Sequence, residues 1–121
     1  LVSEGKDMLS VDGYAVYEMD IKNISGNQFK VILSDELILD YKDGKFQMHF
    51  TSQKKTSLSA GRSLRYVEVE EVKNLKILAD ASSVEVFVND GEYVFSTRYY
   101  PEEYKVQAEA NGAQITFASI S

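Results

Sequence analysis

The amino-acid sequence predicts an all-β protein, folded as an antiparallel two-sheet β-sandwich of about ten short strands. Three observations predict this class. Apolar and polar residues alternate with a period of two in short runs along nearly the whole chain, which is typical of strands with one buried face. Turn-forming residues separate the runs at intervals of roughly eight to twelve residues. No amphipathic helix of normal length is indicated.

The predicted strands follow one another closely. In the first half of the chain, residue types that favour strands recur at every second position. We expect four strands there, at residues 15–21, 29–33, 37–41 and 46–50. The second half gives six more, at residues 64–69, 75–79, 84–88, 93–99, 104–110 and 114–120. Strands of this length and regularity favour a sandwich of the jelly-roll or lectin-like type.

Three tight turns are predicted between these strands. Asp43-Gly44, Asp90-Gly91 and Asn111-Gly112 each stand between two alternating apolar runs. Asp-Gly and Asn-Gly suit the positive φ angles of two-residue hairpin turns, so each pair is expected to join antiparallel neighbours. Asp12-Gly13 is expected to mark the entry to the first strand.

The remaining segments lack a strand pattern. Residues 52–63 are rich in Ser, Thr, Lys and Gly, which predicts a mobile loop between the two halves of the chain. Residues 1–10 could hold a turn or two of helix. The chain opens on Leu1 without a basic segment or an apolar segment of the signal-peptide kind. We therefore expect residues 1–121 to be a single domain taken from a longer polypeptide.

Composition excludes several classes of partner and site. Thirteen Lys and Arg against 19 Asp and Glu give a net charge of −6, which disfavours nucleic acid as a partner because a binder needs a basic face. No apolar run reaches the roughly 18 residues that cross a bilayer, so no membrane partner is expected. With no cysteine and only His49, a His/Cys zinc site and a Cys-His dyad cannot be built. We expect no metal and no cofactor.

Carboxylates are the plentiful catalytic residue type. Asp80 and Glu85 flank a Ser82-Ser83 turn and could form the acid and nucleophile pair of glycoside hydrolysis. The simpler interpretation is that Asp80 caps the turn with its side chain, while Glu85 faces solvent or pairs with Arg98. Local turn chemistry accounts for both residues, so no catalytic residue is predicted.

Tyrosines crowd one segment of the chain. Of the eight tyrosines, Tyr93, Tyr99 and Tyr100 lie close together, with Tyr104 just beyond. Their rings could stack on sugars while the phenol oxygens make hydrogen bonds, so Tyr93, Tyr99 and Tyr100 are the candidate sugar contacts. The alternative is that they are ordinary strand residues, half-buried in the sheet. The absence of tryptophan, the strongest stacking platform, favours this alternative.

Residues 74–101 resemble a known family. The run NLKILADASSVEVFVNDGE, followed by Arg98-Tyr99-Tyr100-Pro101, resembles the C-terminal β-sandwich of glycoside hydrolase family 32. That family includes invertases, sucrose-6-phosphate hydrolases, levanases and inulinases. The shared phrase is D-x-S-S-x-E-x-F-x-N-D-G-E with a following R-x-x-P. The segments Tyr14 to Met19 and Asp40-Tyr41 are also similar to that domain, so the resemblance covers most of the chain.

The resemblance implies a sandwich appended to a five-bladed propeller that hydrolyses β-fructosides with retention. The family's working carboxylates belong to propeller motifs similar to W-M-N-D-P-N-G, R-D-P and E-C, and none of these occurs here. The implied role is a non-catalytic accessory domain that stabilises the propeller of the same polypeptide and, in some members, mediates homodimerisation. The parent would be a cytoplasmic β-fructofuranosidase of the sucrose-6-phosphate hydrolase type. Two alternatives stay open: a fructan-binding module using its tyrosines, and a free-standing enzyme using Asp80 and Glu85.

Overall fold

The computed structural model describes residues 2–51 and 64–120. The predicted mobile loop at residues 52–63 lies outside these described residues. Ten strands make up the described chain, and every pairing between them is antiparallel. They are β1 (Val2–Asp12), β2 (Tyr17–Lys22), β3 (Gln28–Leu33), β4 (Leu37–Lys42), β5 (Lys45–Phe50), β6 (Leu64–Glu68), β7 (Leu75–Asp80), β8 (Ser83–Val88), β9 (Tyr93–Arg98) and β10 (Lys105–Ser119).

The strands form one continuous sheet that curls over on itself. Its order is β6-β5-β4-β3-β10-β2-β7-β8-β9, with β1 paired to β10 beside this path. The first part of β10 pairs with β3, and its second part pairs with β2. We call β3 to β6 with the first part of β10 the first sheet. The second sheet is β2, β7, β8 and β9 with the second part of β10.

Strands β10 and β1 form the corner where the two sheets meet. β10 bends at Gly112, where φ is +76°. β1 pairs with β10 on both sides of the bend and carries a bulge between Lys6 and Met8, with Asp7 at φ +69°. At the opposite end of the sandwich, the Phe46 and Phe95 rings are 5.3 Å apart and Arg65 donates a hydrogen bond to the Ser96 carbonyl. These contacts bring the outer strands of the two sheets together.

The core lies between the two sheets. Strand residues that point inward are buried at every second position, which accounts for the alternation in the sequence. Rings of Tyr17 and Phe117 are 4.8 Å apart, and those of Phe29 and Tyr41 are 5.6 Å apart. The largest fully buried side chains come from both sheets: Tyr17, Phe46, Phe117, Met19, Ile21, Leu33, Leu37, Leu39, Leu75, Ile77, Ile115 and Val31.

The structure confirms the all-β antiparallel prediction and corrects it at two places. Asp43-Gly44 joins β4 to β5, and Asp90-Gly91 joins β8 to β9, as predicted. Asn111-Gly112 is not a hairpin: it is the bend inside β10, because β1 pairs along both parts of that strand. Residues 1–10 could have held a turn or two of helix, yet residues 2–12 form β1, so Asp12-Gly13 follows the first strand instead of preceding it.

No helix within residues 2–51 and 64–120 is long and apolar enough to cross a bilayer.

Candidate functional site

Asp80 and Glu85 lie on the solvent side of the second sheet. Asp80 is the last residue of β7, and its carboxylate accepts a hydrogen bond of 3.2 Å from the Ser82 amide. Glu85 lies on β8 opposite Leu78 and is exposed. Within the described residues no ion pair joins Glu85 to Arg98, whose side chain instead approaches the Tyr100 hydroxyl at 3.5 Å. The turn-capping interpretation of Asp80 is confirmed, and Glu85 faces solvent.

The structure separates the tyrosines that the sequence grouped together. Tyr99 is 2% exposed and lies in the core, so it has no free face on which a sugar could stack. Tyr93 is partly buried and packs against the core. The Tyr104 hydroxyl donates to the Ala81 carbonyl at 2.8 Å, which ties β10 to the β7–β8 turn. Of these four, Tyr100 alone has an exposed ring, at 52%.

Tyr99, which was predicted to contact sugar, instead forms a buried pair of phenols with Tyr17. The Tyr17 hydroxyl lies beside Tyr99 and makes no hydrogen bond of normal geometry within the described residues. Burial raises the pKa of Tyr17 well above its ordinary 10.0, and the neighbouring Tyr99 adds to the effect. Burial also raises the pKa of Tyr99, although hydrogen bonding with Ser34 opposes this. Both phenols are therefore neutral parts of the core.

A broad groove lies on the outer face of the second sheet. Its volume is about 1170 Å³. Adjacent strands β2, β7 and β8 supply its floor, with Asp20 opposite Lys76 and Lys76 opposite Phe87. Lys76 Nζ lies 3.9 Å from Glu18 Oε2 and 3.9 Å from Asp20 Oδ1. We call these residues, with Leu78 beside them, the groove floor.

One wall of the groove is fixed by the β8–β9 turn. Asn89 Nδ2 donates to the Glu71 carbonyl at 2.8 Å, and Asn89 Oδ1 accepts from the Lys73 amide at 2.8 Å. Next to it, Asn74 Oδ1 accepts from the Asp90 amide at 3.0 Å. These bonds attach the turn to the segment that precedes β7. The wall is thus held by hydrogen bonds between asparagine side chains and backbone groups.

Sequence reasoning did not identify the groove. Glu18 and Asp20 occupy alternate positions on β2, and Lys76 and Leu78 do so on β7, so the period of two marks them as outward residues. Pairing of β2 with β7 was not predictable, because these strands are far apart in the sequence. Over the described part of the chain, no group of three or more His, Asp or Glu side chains could hold a metal ion.

Comparison with known proteins gives the context of this fold. Residues 17–121 match the model of the glycosyl hydrolases family 32 C-terminal domain. A segment of 50 residues is 40% identical to a sucrose-6-phosphate hydrolase of Bacillus subtilis, covering 40% of this chain and 10% of that protein.

Two solved structures share the fold. A sucrose-6-phosphate hydrolase from Lactobacillus gasseri superposes with a TM-score of 0.84 at 19% identity, over 99% of this chain and 28% of that one. Galectin LEC-6 of Caenorhabditis elegans superposes with a TM-score of 0.64 at 14% identity, over 98% of this chain and 95% of that one. The chain thus spans little more than a quarter of the Lactobacillus chain. Because the family model covers most of its length, the chain belongs to the C-terminal domain family of glycosyl hydrolases family 32.

Proposed function

We propose that this chain is the non-catalytic accessory sandwich of a β-fructofuranosidase, and that it stabilises the catalytic propeller of the same polypeptide. The observation that carries the proposal is the family match over residues 17–121. The longer polypeptide would hydrolyse sucrose, sucrose 6-phosphate or related β-fructosides with retention. The name of the Bacillus relative, a sucrose-6-phosphate hydrolase, supports this substrate class.

The roles of the acidic residues support the non-catalytic part of the proposal. Asp80 accepts the Ser82 amide proton, which is the usual use of Asp in a turn. Glu85 stands on an open strand face, where water solvates its carboxylate. A glycoside hydrolase needs two carboxyl groups held on either side of a bound sugar. This arrangement calls for a cleft around both groups, whereas Asp80 and Glu85 lie outside the residues that line the groove.

Substitution in the longer polypeptide tests this proposal. Glu85→Gln and Asp80→Asn should leave kcat for sucrose hydrolysis within about twofold of the unchanged enzyme, because neither side chain takes part in the chemistry. Asp80→Asn keeps a turn-capping side chain and so provides the structural control. A loss of kcat of about 1000-fold in either variant, with an unchanged melting temperature, would contradict the non-catalytic role.

The proposal also covers the partners of this domain and its location in the cell. We place the propeller as the main partner, with homodimerisation as a second use of the domain and the cytoplasm as its location. The side chains of Val2 and Ile120 are apolar and exposed, and they lie at the same corner because Val2 pairs with Ala118, two residues before Ile120. An exposed apolar pair of this kind supports docking of the propeller at this corner. Replacing both with Ser should lower the melting temperature of the longer polypeptide more than that of the isolated domain. Equal shifts would argue against docking at this corner.

The tyrosine-based fructan site loses support as a second function. Tyr99 is in the core, Tyr93 packs on it, and the Tyr104 hydroxyl is occupied. A stacking platform made of Tyr100 alone offers one ring, without the several polar groups that a ligand site needs to fix orientation.

A further inference from the structure

We propose that the groove on the outer face of the second sheet is a binding site for a neutral saccharide. This inference stands apart from the accessory role, because it needs neither the propeller nor any hydrolysis. It also differs from the tyrosine site, since the groove residues come from β2, β7 and β8. Three features of the groove floor support it: unused hydrogen-bonding groups, an apolar surface beside them, and a nearly balanced charge.

Charged groups on the floor keep their hydrogen-bonding capacity. Both carboxylates stand 3.9 Å from Lys76 Nζ, which is beyond the 2.7–3.2 Å of an N–H···O hydrogen bond. The ammonium therefore retains donors, and Glu18 and Asp20 retain acceptor lone pairs. A sugar hydroxyl both donates and accepts, so neighbouring hydroxyls could bond to a carboxylate and to the ammonium at once. Such charge-assisted hydrogen bonds are stronger than neutral ones.

An apolar surface lies directly beside these charges. Phe87 lies on β8, opposite Lys76 of β7 and opposite Val94 of β9, and its side chain is partly exposed. Leu78, also partly exposed, lies in the neighbouring row on β7. One face of a sugar ring carries mainly C–H groups and packs well on an aromatic side chain. Phe87 and Leu78 are thus the apolar part of a floor whose other side chains are charged.

The charged residues that line the groove favour a neutral saccharide over a sugar phosphate. The groove is lined by four carboxylates, Glu18, Asp20, Glu71 and Asp90, and by three lysines, Lys22, Lys73 and Lys76. The formal balance is therefore −1, which gives a phosphate no net attraction. A neutral mono- or oligosaccharide meets no such penalty. The site should consequently bind sucrose or a fructo-oligosaccharide in preference to a sugar phosphate.

Nuclear magnetic resonance titration of the ¹⁵N-labelled 121-residue chain tests the proposal. Sucrose, an inulin-type fructo-oligosaccharide and sucrose 6-phosphate serve as probes. The neutral probes should give saturable amide shifts centred on Lys76 and Phe87, with a Kd on the order of 1 mM. Sucrose 6-phosphate should bind no tighter than sucrose. Lys76→Gln and Phe87→Val should each weaken binding about tenfold, which is a change of about 1.4 kcal/mol.

A matched aromatic and lysine pair on the other sheet provides the control. Lys45 Nζ lies 4.3 Å from the Tyr66 ring centroid on the outer face of the first sheet. Lys45→Gln and Tyr66→Val should leave binding unchanged, and so should Tyr100→Ala. Should Phe87→Val fail to give a dispersed spectrum, Lys76→Gln decides the matter, because that side chain is 47% exposed and its replacement leaves the core unchanged.

Several results would overturn the proposal. One is the absence of saturable shifts at about 100 times the expected Kd. Others are shifts centred on residues 93–104, equal weakening by the control variants, or binding of sucrose 6-phosphate at least tenfold tighter than sucrose. None of these outcomes bears on the accessory role, which is tested by kcat in the longer polypeptide.

Discussion

At the scale of single residues, the corner of the sandwich depends on Gly112. Its amide donates to Asp7 Oδ1 at 2.7 Å, so the bend in β10 is attached to the bulge in β1. Ser25 Oγ donates to the Asn111 carbonyl at 3.3 Å from the other side. A Cβ atom added at Gly112 would collide with the Ser25 side chain. Both the positive φ and the close approach therefore require glycine here.

We expect Gly112→Ala to lower the free energy of unfolding by about 2 to 4 kcal/mol. The left-handed conformation costs a non-glycine residue about 1 to 2 kcal/mol, and the collision adds a similar amount. Gly13→Ala is the matched control, because Gly13 has φ +90° with no atom within 4 Å of the added Cβ. Urea denaturation measures both variants. Equal losses for the two would show that the contact with Ser25 does not matter.

The buried phenols give the domain a predictable response to alkaline pH. Tyr17 and Tyr99 ionise near pH 10.0 when unfolded, whereas burial raises both pKa values in the folded state. Their contribution to stability is therefore complete below about pH 10 and is lost as the pH rises above it. Each neutral phenol makes the free energy of unfolding fall by about 1.4 kcal/mol per pH unit in that range.

Replacement of one phenol tests this response. Tyr17→Phe should make the decline above pH 10 shallower by about 1.4 kcal/mol per unit, measured by urea denaturation between pH 9 and 11.5. At pH 7 the variant should match or slightly exceed the unchanged protein, since the Tyr17 hydroxyl makes no hydrogen bond of normal geometry. Tyr66→Phe is the control, because Tyr66 is 56% exposed. Identical slopes for Tyr17→Phe and the unchanged protein would contradict the assignment.

At the scale of elements, the residues that carry the family resemblance are those that build the β7–β8–β9 meander. Asp80 caps the first turn. Asn89, Asp90 and Gly91 form the second turn, with φ values of +52°, +59° and +95°. The Tyr99 amide, next to Arg98 of the R-x-x-P phrase, donates to the Ser82 carbonyl at 3.1 Å. The residues of the shared phrase thus stabilise the turns of this meander, and this structural role accounts for their presence without a catalytic one.

We expect Asn89→Ala to lower the free energy of unfolding by about 3 to 4 kcal/mol. The variant loses two hydrogen bonds to the segment before β7, each contributing about 1 kcal/mol, and puts Ala in a left-handed conformation. Asn23→Ala is the control: its φ is +59°, and its side chain makes no hydrogen bond within the described residues. Thermal denaturation compares the two. A loss no larger than that of the control would mean that the turn is not anchored through Asn89.

Turn chemistry explains which elements could be predicted from the sequence. Asp43-Gly44 and Asp90-Gly91 were predicted correctly, because the two strands that flank each turn pair with each other. Asn111-Gly112 has the same local signal, yet β1 pairs along both sides of it and keeps β10 continuous. β1 itself was missed because charged residues such as Glu4, Lys6 and Asp7 interrupt its apolar pattern. These charges suit an edge strand, where they discourage pairing with other chains.

At the scale of the whole molecule, the period of two was enough to predict the sandwich but not its functional surface. Alternation predicts which side chains point outward, and Glu18, Asp20 and Lys76 were all readable in this way. Their meeting depends on the pairing of β2 with β7, which long-range packing decides. The burial of Tyr99 likewise depends on the β3–β4 turn, where Ser34 contacts its hydroxyl. Local composition therefore suggested a tyrosine surface, whereas the fold created a polar groove elsewhere.

The architecture of the domain is compatible with the accessory role proposed above. Its two sheets close around one core, with Arg65 and the Phe46–Phe95 contact joining their far ends. The core residues lie between the two sheets, so the outer faces of the sheets are not needed to form it. One such face carries the groove, and the corner near Val2 and Ile120 carries exposed apolar side chains. We infer that docking and saccharide binding use different surfaces.

Hydrolysis by the isolated chain tests the central claim most directly. The purified 121-residue chain is incubated with sucrose and with sucrose 6-phosphate, and the release of fructose is measured against the longer polypeptide at equal molar concentration. A non-catalytic accessory domain predicts no release above the buffer blank with either substrate, while the longer polypeptide turns over. Release of fructose by the isolated chain at a rate on the order of 1 per second, typical of an enzyme, would contradict the account.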